Sequence, residues 1–253
     1  MPLLLWLTLL WHLGALIALI RQPTAWPWIF LAVWINHCVI VACGMVPRST
    51  CLGPNLQALG RGARERGEIA LTFDDGPDPQ VTPQLLNLLD AAGAKASFFV
   101  IGARAARHPQ LIREIAARGH TIGNHTWSHS YLFFFFFPRR LEAEIARLQQ
   151  LVGELAGVAP KYFRAPAGIR SPLLQPVLGR SGLMLTSWSR RGYDAVDRRA
   201  DRVLKRLEPG LAPGGILLLH DGDNEALLEL MPQLLDRIRE AGLRCVNLDE
   251  AVR

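Results

Sequence analysis

Apolar and polar positions are patterned in two different ways along this 253-residue chain. Residues 3–20 and 28–46 are uncharged, almost unbroken apolar runs. Each is about as long as the ~17–25 residues a helix needs to cross a bilayer. From residue 68 onward, short apolar runs take turns with longer amphipathic ones. The short runs predict strands at 68–75, 95–102, 120–126, 161–166, 183–189, 214–221 and 243–250. Between them TPQLLNLLDAAG, RRLEAEIARLQQLVGELAG and NEALLELMPQLLDRIREAG place apolar residues at i, i+3, i+4 spacing and end in glycine, as helices do. Such regular strand–helix alternation implies a parallel α/β sheet. Seven units in succession predict a distorted (β/α)7 barrel, with reactive residues at the C-terminal ends of its strands.

The two apolar runs predict a transmembrane hairpin over residues 1–47, followed by a linker at 48–66 and the barrel domain at 67–253. Arg21, Gln22, Pro23 and Pro27 interrupt the apolar character between the runs, and Trp26 and Trp28 sit where an interfacial aromatic belt would place them. A signal peptide over residues 1–20 is the competing reading. No basic stretch precedes that run and a second apolar run follows it, which favours the hairpin. His12, Asn36 and His37, polar residues within the runs, predict hydrogen bonding between the two helices. Arg48, Arg61, Arg64 and Arg66 follow the second run, against Arg21 alone in the turn. The positive-inside rule then predicts a multi-pass protein of a bacterial-type inner membrane with its barrel at the cytoplasmic face.

Composition sharpens this division. Half of the residues are hydrophobic and a fifth charged, too apolar for a disordered chain, and Arg21 is the one charged residue among the first 47. The formal net charge of +6 raises nucleic acid as a partner. The basic residues are instead interleaved with apolar ones on helices such as RAARHPQLIREIAARG, as on a solvated face, so anionic membrane lipids are the better match. Cys38 and Cys43 fall in the second apolar run, and Cys51 and Cys245 form no spaced disulfide framework.

The predicted strand ends carry the chemistry. The first ends in Thr72-Phe73-Asp74-Asp75-Gly76-Pro77. Neighbours on a strand face opposite ways, so both carboxylates serve one site only if the backbone turns there, which Gly76 and Pro77 supply. The third ends in Gly123-Asn124-His125-Thr126-Trp127-Ser128-His129. Two imidazoles four positions apart share a face on one helical turn, and with one carboxylate they make a metal set with coordination positions left open for catalysis. Such a set serves Zn2+, and also Co2+, Ni2+ or Fe2+. His108 and His120 lie outside it, as a surface and a packing histidine. Arg164 emerges from the fourth strand and His220 from the sixth, offering an orienting cation and a group that titrates near neutrality. Phe133 to Phe137 cannot all enter one core. They predict either a loop packing ahead of a helix or a rim that dips into the bilayer.

In this order and spacing, TFDDGP, NHTWSH, RAPAG and LLLH resemble the polysaccharide deacetylases, the NodB-homology carbohydrate esterases, over about residues 67–252. The resemblance implies that Asp74 is the general base and that Asp75, His125 and His129 hold the metal. It further implies that Arg164 orients Asp74, that the backbone N–H near Ala167 helps hold the oxyanion, and that His220 is the general acid. One motif departs from the family pattern: of its aspartate pair and tryptophan only Asp194 remains, to tune His220, with Arg191 and Ala195 in the other places. Ala167 stands where a tyrosine is common, which changes the substrate groove rather than the chemistry. The expected activity is metal-dependent removal of an N-acyl group, acetyl or formyl, from an amino sugar of a polysaccharide or lipid-linked glycan. A non-catalytic glycan-binding or scaffolding barrel is the alternative, opposed by retention of the base, three ligands, arginine and histidine.

Overall fold

The computed structural model describes residues 2–251. Among these residues eight strands form, β1 Glu68–Asp74, β2 Ala96–Val100, β3 Thr121–Asn124, β4 Tyr162–Phe163, β5 Met184–Leu185, β6 Arg190–Arg191, β7 Ile216–His220 and β8 Arg244–Cys245. Every pairing is parallel, in the order β5-β4-β3-β2-β1-β7-β6, with β8 beside the start of β1. The helices are α1 Leu3–Arg21, α2 Trp26–Met45, α3 Arg61–Glu65, α4 Val81–Ala91, α5 Gly102–Arg107 and α6 Pro109–Ala117, then α7 Pro138–Ala156, α8 Leu174–Arg180, α9 Ala200–Leu207, α10 Ala226–Glu240 and α11 Leu248–Ala251.

Each predicted strand contains an observed one, and the sheet curls into the expected distorted barrel. The distortion lies in the predicted strand 183–189, which splits across the barrel's open side. Its first part pairs with β4 as β5, and the residues just beyond it pair with β7 as β6. The short link between them spans the gap, and Leu56 inserts there, its N–H bonding Leu185 O and its carbonyl accepting from Ser187 N–H. The run read as one strand thus forms one edge as β5 and leads through Ser189, whose N–H bonds Ile216 O, into the other.

β1 is buried along its whole length, as a strand covered on both faces requires. Outward-facing Leu71, Phe73, Phe98 and Leu217 pack beneath Leu85, Leu89, Ile112 and Leu234 of the surrounding helices. Inward-facing Ala70, Phe99, Ile216 and Leu218 fill the barrel with Trp188 and Val246. The phenylalanine run divides its duties: Phe133 and Phe136 enter a third cluster with Leu141, Ile145 and Phe163, while Phe135 and Phe137 are exposed. Helix α7 starts immediately after, with Pro138 where its missing N–H costs nothing, and stops at Gly157, whose φ of 73° suits a left-handed helix end.

α1 and α2 are long and apolar enough to cross a membrane, with mean hydropathy of 2.3 and 1.9 in their most apolar windows. They pack on each other, Asn36 Nδ2 lying 3.4 Å from Thr8 Oγ1, with His12 and His37 edge to face at 5.0 Å. The helix α2 begins two residues earlier than predicted, because Pro27 at its first turn needs no donor and so does not delay it. Its far end meets the barrel at Gly44. A Cβ there would lie 2.6 Å from Arg170 O and 2.8 Å from the Phe134 ring, so only glycine permits the approach. Residues 48–66 follow the barrel surface closely, burying Leu52, Leu59 and Ala63.

Candidate active site

The register of β1 with its neighbours builds the site. Asp74 stands opposite His220 on β7 and opposite Phe99 on β2, so the base and the acid implied by the resemblance occupy adjacent strand ends. Asp75 takes a left-handed φ of 72°, and this turn brings the second carboxylate to the same rim instead of the opposite face.

Arg164, at the end of β4, is fully buried and fixes Asp74. Its Nη1 donates to Asp74 Oδ1 at 2.6 Å and to Thr72 Oγ1 at 2.9 Å, and its other nitrogens donate to the carbonyls of Thr186 and Ser187. The guanidinium lies 3.9 Å from the centre of the Phe99 ring. With each guanidinium nitrogen donating a hydrogen bond, the pair has the geometry that makes a buried charge tolerable.

The side chains of Asp75, His125 and His129 converge, their nearest ligand atoms all within 4.8 Å of one another. Asp75 Oδ1 is 3.4 Å from His125 Nε2 and 3.2 Å from His129 Nε2. His125 Nδ1 donates to the Arg164 carbonyl at 2.8 Å, which leaves the lone pair of Nε2 facing Asp75. Among the described residues Asp75 Oδ1, itself buried, has no hydrogen-bond donor. An orphaned carboxylate oxygen facing an imidazole lone pair is a donor set that fits a divalent cation. Burial works to raise the Asp75 carboxyl, but contact with His125 and the charge of His129 more than offset it and hold it well below the usual carboxylate range. Burial works to lower His125, and the charges of Asp74 and Asp75 outweigh it and raise its pKa. His129 is lowered by burial and by His125.

The two histidines do not sit on a helical turn, as their spacing predicts. Residues 125–129 form a loop with Thr126 at φ 67° and His129 at φ 50°, and the rings meet because the loop folds back. Glu144 of α7 holds that fold, its carboxylate accepting from the backbone N–H groups of Trp127 and Ser128 and from the Ser128 hydroxyl.

On the other side of Asp74, His220 Nδ1 lies 3.0 Å from Asp194 Oδ1, and Asp194 Oδ2 accepts from His220 N–H and Asn224 Nδ2. Burial works to lower His220, but the hydrogen bond and charge of Asp194 prevail and raise it, favouring the protonated form. Behind the rim Asp221 is fully buried, accepts from Thr82 Oγ1 at 2.7 Å and is pushed by burial up to about 7. Ala167 lies in the short turn Pro166–Gly168 with φ 53° and is exposed.

All seven residues singled out from the sequence, Asp74, Asp75, His125, His129, Arg164, Asp194 and His220, therefore meet at one end of the barrel. His120 and His108 lie apart, His120 packed against Phe98. Sequence reasoning missed the supporting residues Thr72, Glu144, Asn224 and Asp221. Glu144 reads as one more charge on the polar face of an amphipathic helix, and only the fold brings it to the histidine loop.

Comparison with known proteins agrees with this geometry. The polysaccharide deacetylase family profile matches residues 61–185. A Bacillus cereus peptidoglycan-N-acetylglucosamine deacetylase is 34% identical over 193 residues, covering 73% of this chain and 88% of the relative. A chitooligosaccharide deacetylase of Bradyrhizobium sp. is 36% identical over 155 residues, covering 61% and 70% respectively. The crystal structure of the Bc1960 peptidoglycan N-acetylglucosamine deacetylase superposes with a TM-score of 0.71 at 28% identity, over 78% of this chain and 92% of that one. Strand order, converging side chains and these relatives lead to one assignment: the chain belongs to the polysaccharide deacetylase family, hydrolases of carbon–nitrogen bonds.

Proposed function

We propose that this chain removes the N-acetyl group from N-acetylglucosamine units of a glycan, with a divalent cation, zinc foremost, held by Asp75, His125 and His129. The observation that carries the reading is the orphaned Asp75 oxygen between two imidazole nitrogens, beside a carboxylate clamped by a buried arginine. When bound, the cation supplies Lewis-acid polarisation of the acyl oxygen and brings the pKa of a water towards ~7. Asp74 accepts the proton of the attacking water, and Arg164 fixes the oxygen of Asp74 that does not face the water. The backbone N–H of Ala167 faces the developing oxyanion. His220, kept protonated by Asp194, delivers a proton to the amide nitrogen as the C–N bond breaks, giving a free amine and acetate.

We further propose that α1 and α2 anchor the barrel as a membrane hairpin over residues 1–47, with the domain proper at 67–253. The count of arginines after α2 supports a cytoplasmic barrel and an amino sugar carried on a lipid, while the relatives' names support peptidoglycan or chitin-like oligomers. Carbonate-washed membranes containing the full chain are expected to retain it and to release acetate from N-acetylglucosamine oligomers. A chelator abolishes the release and added zinc restores it. Release that survives exhaustive chelation overturns the metal reading, and a chain lost in the wash overturns the anchor.

A further inference from the structure

We infer that Cys43 and Cys51 are a redox-active thiol pair, joined reversibly as a disulfide by exchange with a small-molecule disulfide. Neither belongs to the catalytic rim, so this site stands apart from the deacylase reading above. Cys43 is half-buried near the end of α2, and Cys51 is exposed in the segment that follows. The chain reverses between them. Ser49 N–H bonds Val46 O, and Asn55 Nδ2 donates to the carbonyls of Pro47 and Ser49 at 2.9 and 3.2 Å. The reversal makes the two thiols hydrogen-bonding neighbours, and both line one concavity of about 630 Å3 together with Val39 and Thr50.

A buried arginine gives the pair its chemistry. Arg170 is 2% exposed and ties the reversal to the barrel, its backbone N–H bonding Gly44 O at 3.0 Å and its Nη2 donating to Ser49 O at 2.7 Å. Its Nε and Nη1 are buried with no hydrogen-bond partner among the described residues. The charges that favour its protonated form are those of Cys51 and Cys43. A buried guanidinium needs an anion beside it, and the Cys51 thiolate is that anion. Ser49 Oγ accepts the Cys51 backbone N–H at 3.2 Å and hydrogen-bonds the sulfur through its own hydroxyl. That bond, then the one from Cys43 and the charge of Arg170, hold the Cys51 thiol below its ordinary range. Exposed thiols in electropositive surroundings are the reactive ones. Cys245 is the contrast, pushed by burial up to about 12.

Exposure and charge make Cys51 the attacking sulfur and Cys43 the resolving one. The Cys51 thiolate attacks one sulfur of the small disulfide, whose S–S bond breaks and releases a first thiolate. Cys43 then attacks Cys51 Sγ, the mixed disulfide breaks and a second thiolate leaves. The proton of Cys43 goes to one departing thiolate, and the proton that Cys51 lost on ionising returns from solvent to the other. Two protein thiols are oxidised and one disulfide is reduced to two thiols. Oxidation also takes the anion from Arg170, so the reduced pair is the favoured state and the disulfide reopens readily. Arg170 joins the end of α2, the reversal and the loop after β4, so the junction of helix and barrel is the part that feels the change.

The test is treatment of the full chain in bilayer nanodiscs with glutathione disulfide, followed by peptide mass spectrometry without reduction. Wild type is expected to lose two hydrogen atoms and to yield one cross-linked peptide joining Cys43 to Cys51, which dithiothreitol reopens. Cys43→Ser stops with a glutathionyl group on Cys51, and Cys51→Ser takes up none at Cys43. Iodoacetamide at neutral pH is expected to alkylate Cys51 of wild type severalfold faster than Cys51 of Arg170→Gln, with Arg170→Lys recovering most of the rate because it keeps the charge. A glutathionyl group that persists on Cys51 of wild type, a cross-link to Cys38 or Cys245 instead, or no reaction at all overturns the inference. Equal alkylation rates in wild type and Arg170→Gln overturn it as well, since an ordinary exposed thiol reacts at the same rate with or without the arginine.

Discussion

Strand β1 carries a buried acid at each end, and the two are treated oppositely. At the bottom, Glu68 is 1% exposed and receives Arg66 through both oxygens, at 2.7 and 2.9 Å, with Arg244 on one of them as well. These contacts hold its carboxyl below the usual range, chiefly through the Arg66 hydrogen bond. At the top, Asp74 receives one arginine on one oxygen, and Asp75 has an oxygen with no donor at all among the described residues. Strand β3 repeats the contrast with histidines. His120, before its start, is packed against Phe98 and lowered to about 4, whereas His125, just past its end, is raised by two carboxylates. A barrel completes its charges where they hold it together and leaves them incomplete where they act.

The largest effects should come from breaking the incomplete end. Asp74→Asn keeps the carboxamide within reach of Arg164 but cannot accept a proton, and kcat is expected to fall about 10²–10⁴-fold with the cation content unchanged by elemental analysis. His125→Ala removes a ligand as well as the raised imidazole, so both cation and turnover should be lost. Undiminished turnover in Asp74→Asn would remove that residue from the base role.

The same contrast explains what the sequence made legible. Asp74, Asp75, His125, His129, Arg164 and His220 stand at ends of runs whose apolar pattern is local, so strand and reactive residue are read together. The split of residues 183–189 is not local: whether that segment pairs with β4, with β7 or with both depends on how far the sheet curls, which is set by packing around Trp188 and Phe99. Phe133 to Phe137 look alike in sequence, and only contact with Phe163 and Gly44 sorts them into core, interface and exposed positions. The loop conformation at His125–His129 was illegible for a similar reason, since Glu144 lies well along the chain from the backbone groups that it holds.

A smaller effect should appear at the complete end when pH is varied. His120 Nδ1 accepts the Ala96 N–H, so a proton there would set two donors face to face. Burial, with Lys95 nearby, lowers its pKa to about 4, below the ordinary 6.5. Between these values the unfolded chain binds the extra proton, so this contribution is fully present above pH 6.5 and is lost as pH falls towards 4. The loss amounts to about 3 kcal/mol. Urea unfolding of wild type and His120→Asn across that window should show a shallower pH dependence in the variant. Equal slopes would assign the acid sensitivity to other groups.

The smallest effect is expected at Glu68, and it is the sharpest comparison with Asp74 because one strand carries both. Glu68→Gln keeps the shape and one acceptor oxygen but removes the charge that Arg66 and Arg244 share. Both arginines reach solvent, with side chains 43% and 62% exposed, so each recovers hydration when its partner is neutralised. The substitution should therefore lower Tm by only a few degrees and leave kcat/KM unchanged. The corresponding change at the top has no such escape, because Arg164 is 1% exposed and stays buried with whatever replaces its carboxylate. If Glu68→Gln instead impaired turnover as strongly as Asp74→Asn, the two ends of β1 would be coupled through the strand, and the division between a completed base and an incomplete rim would not hold.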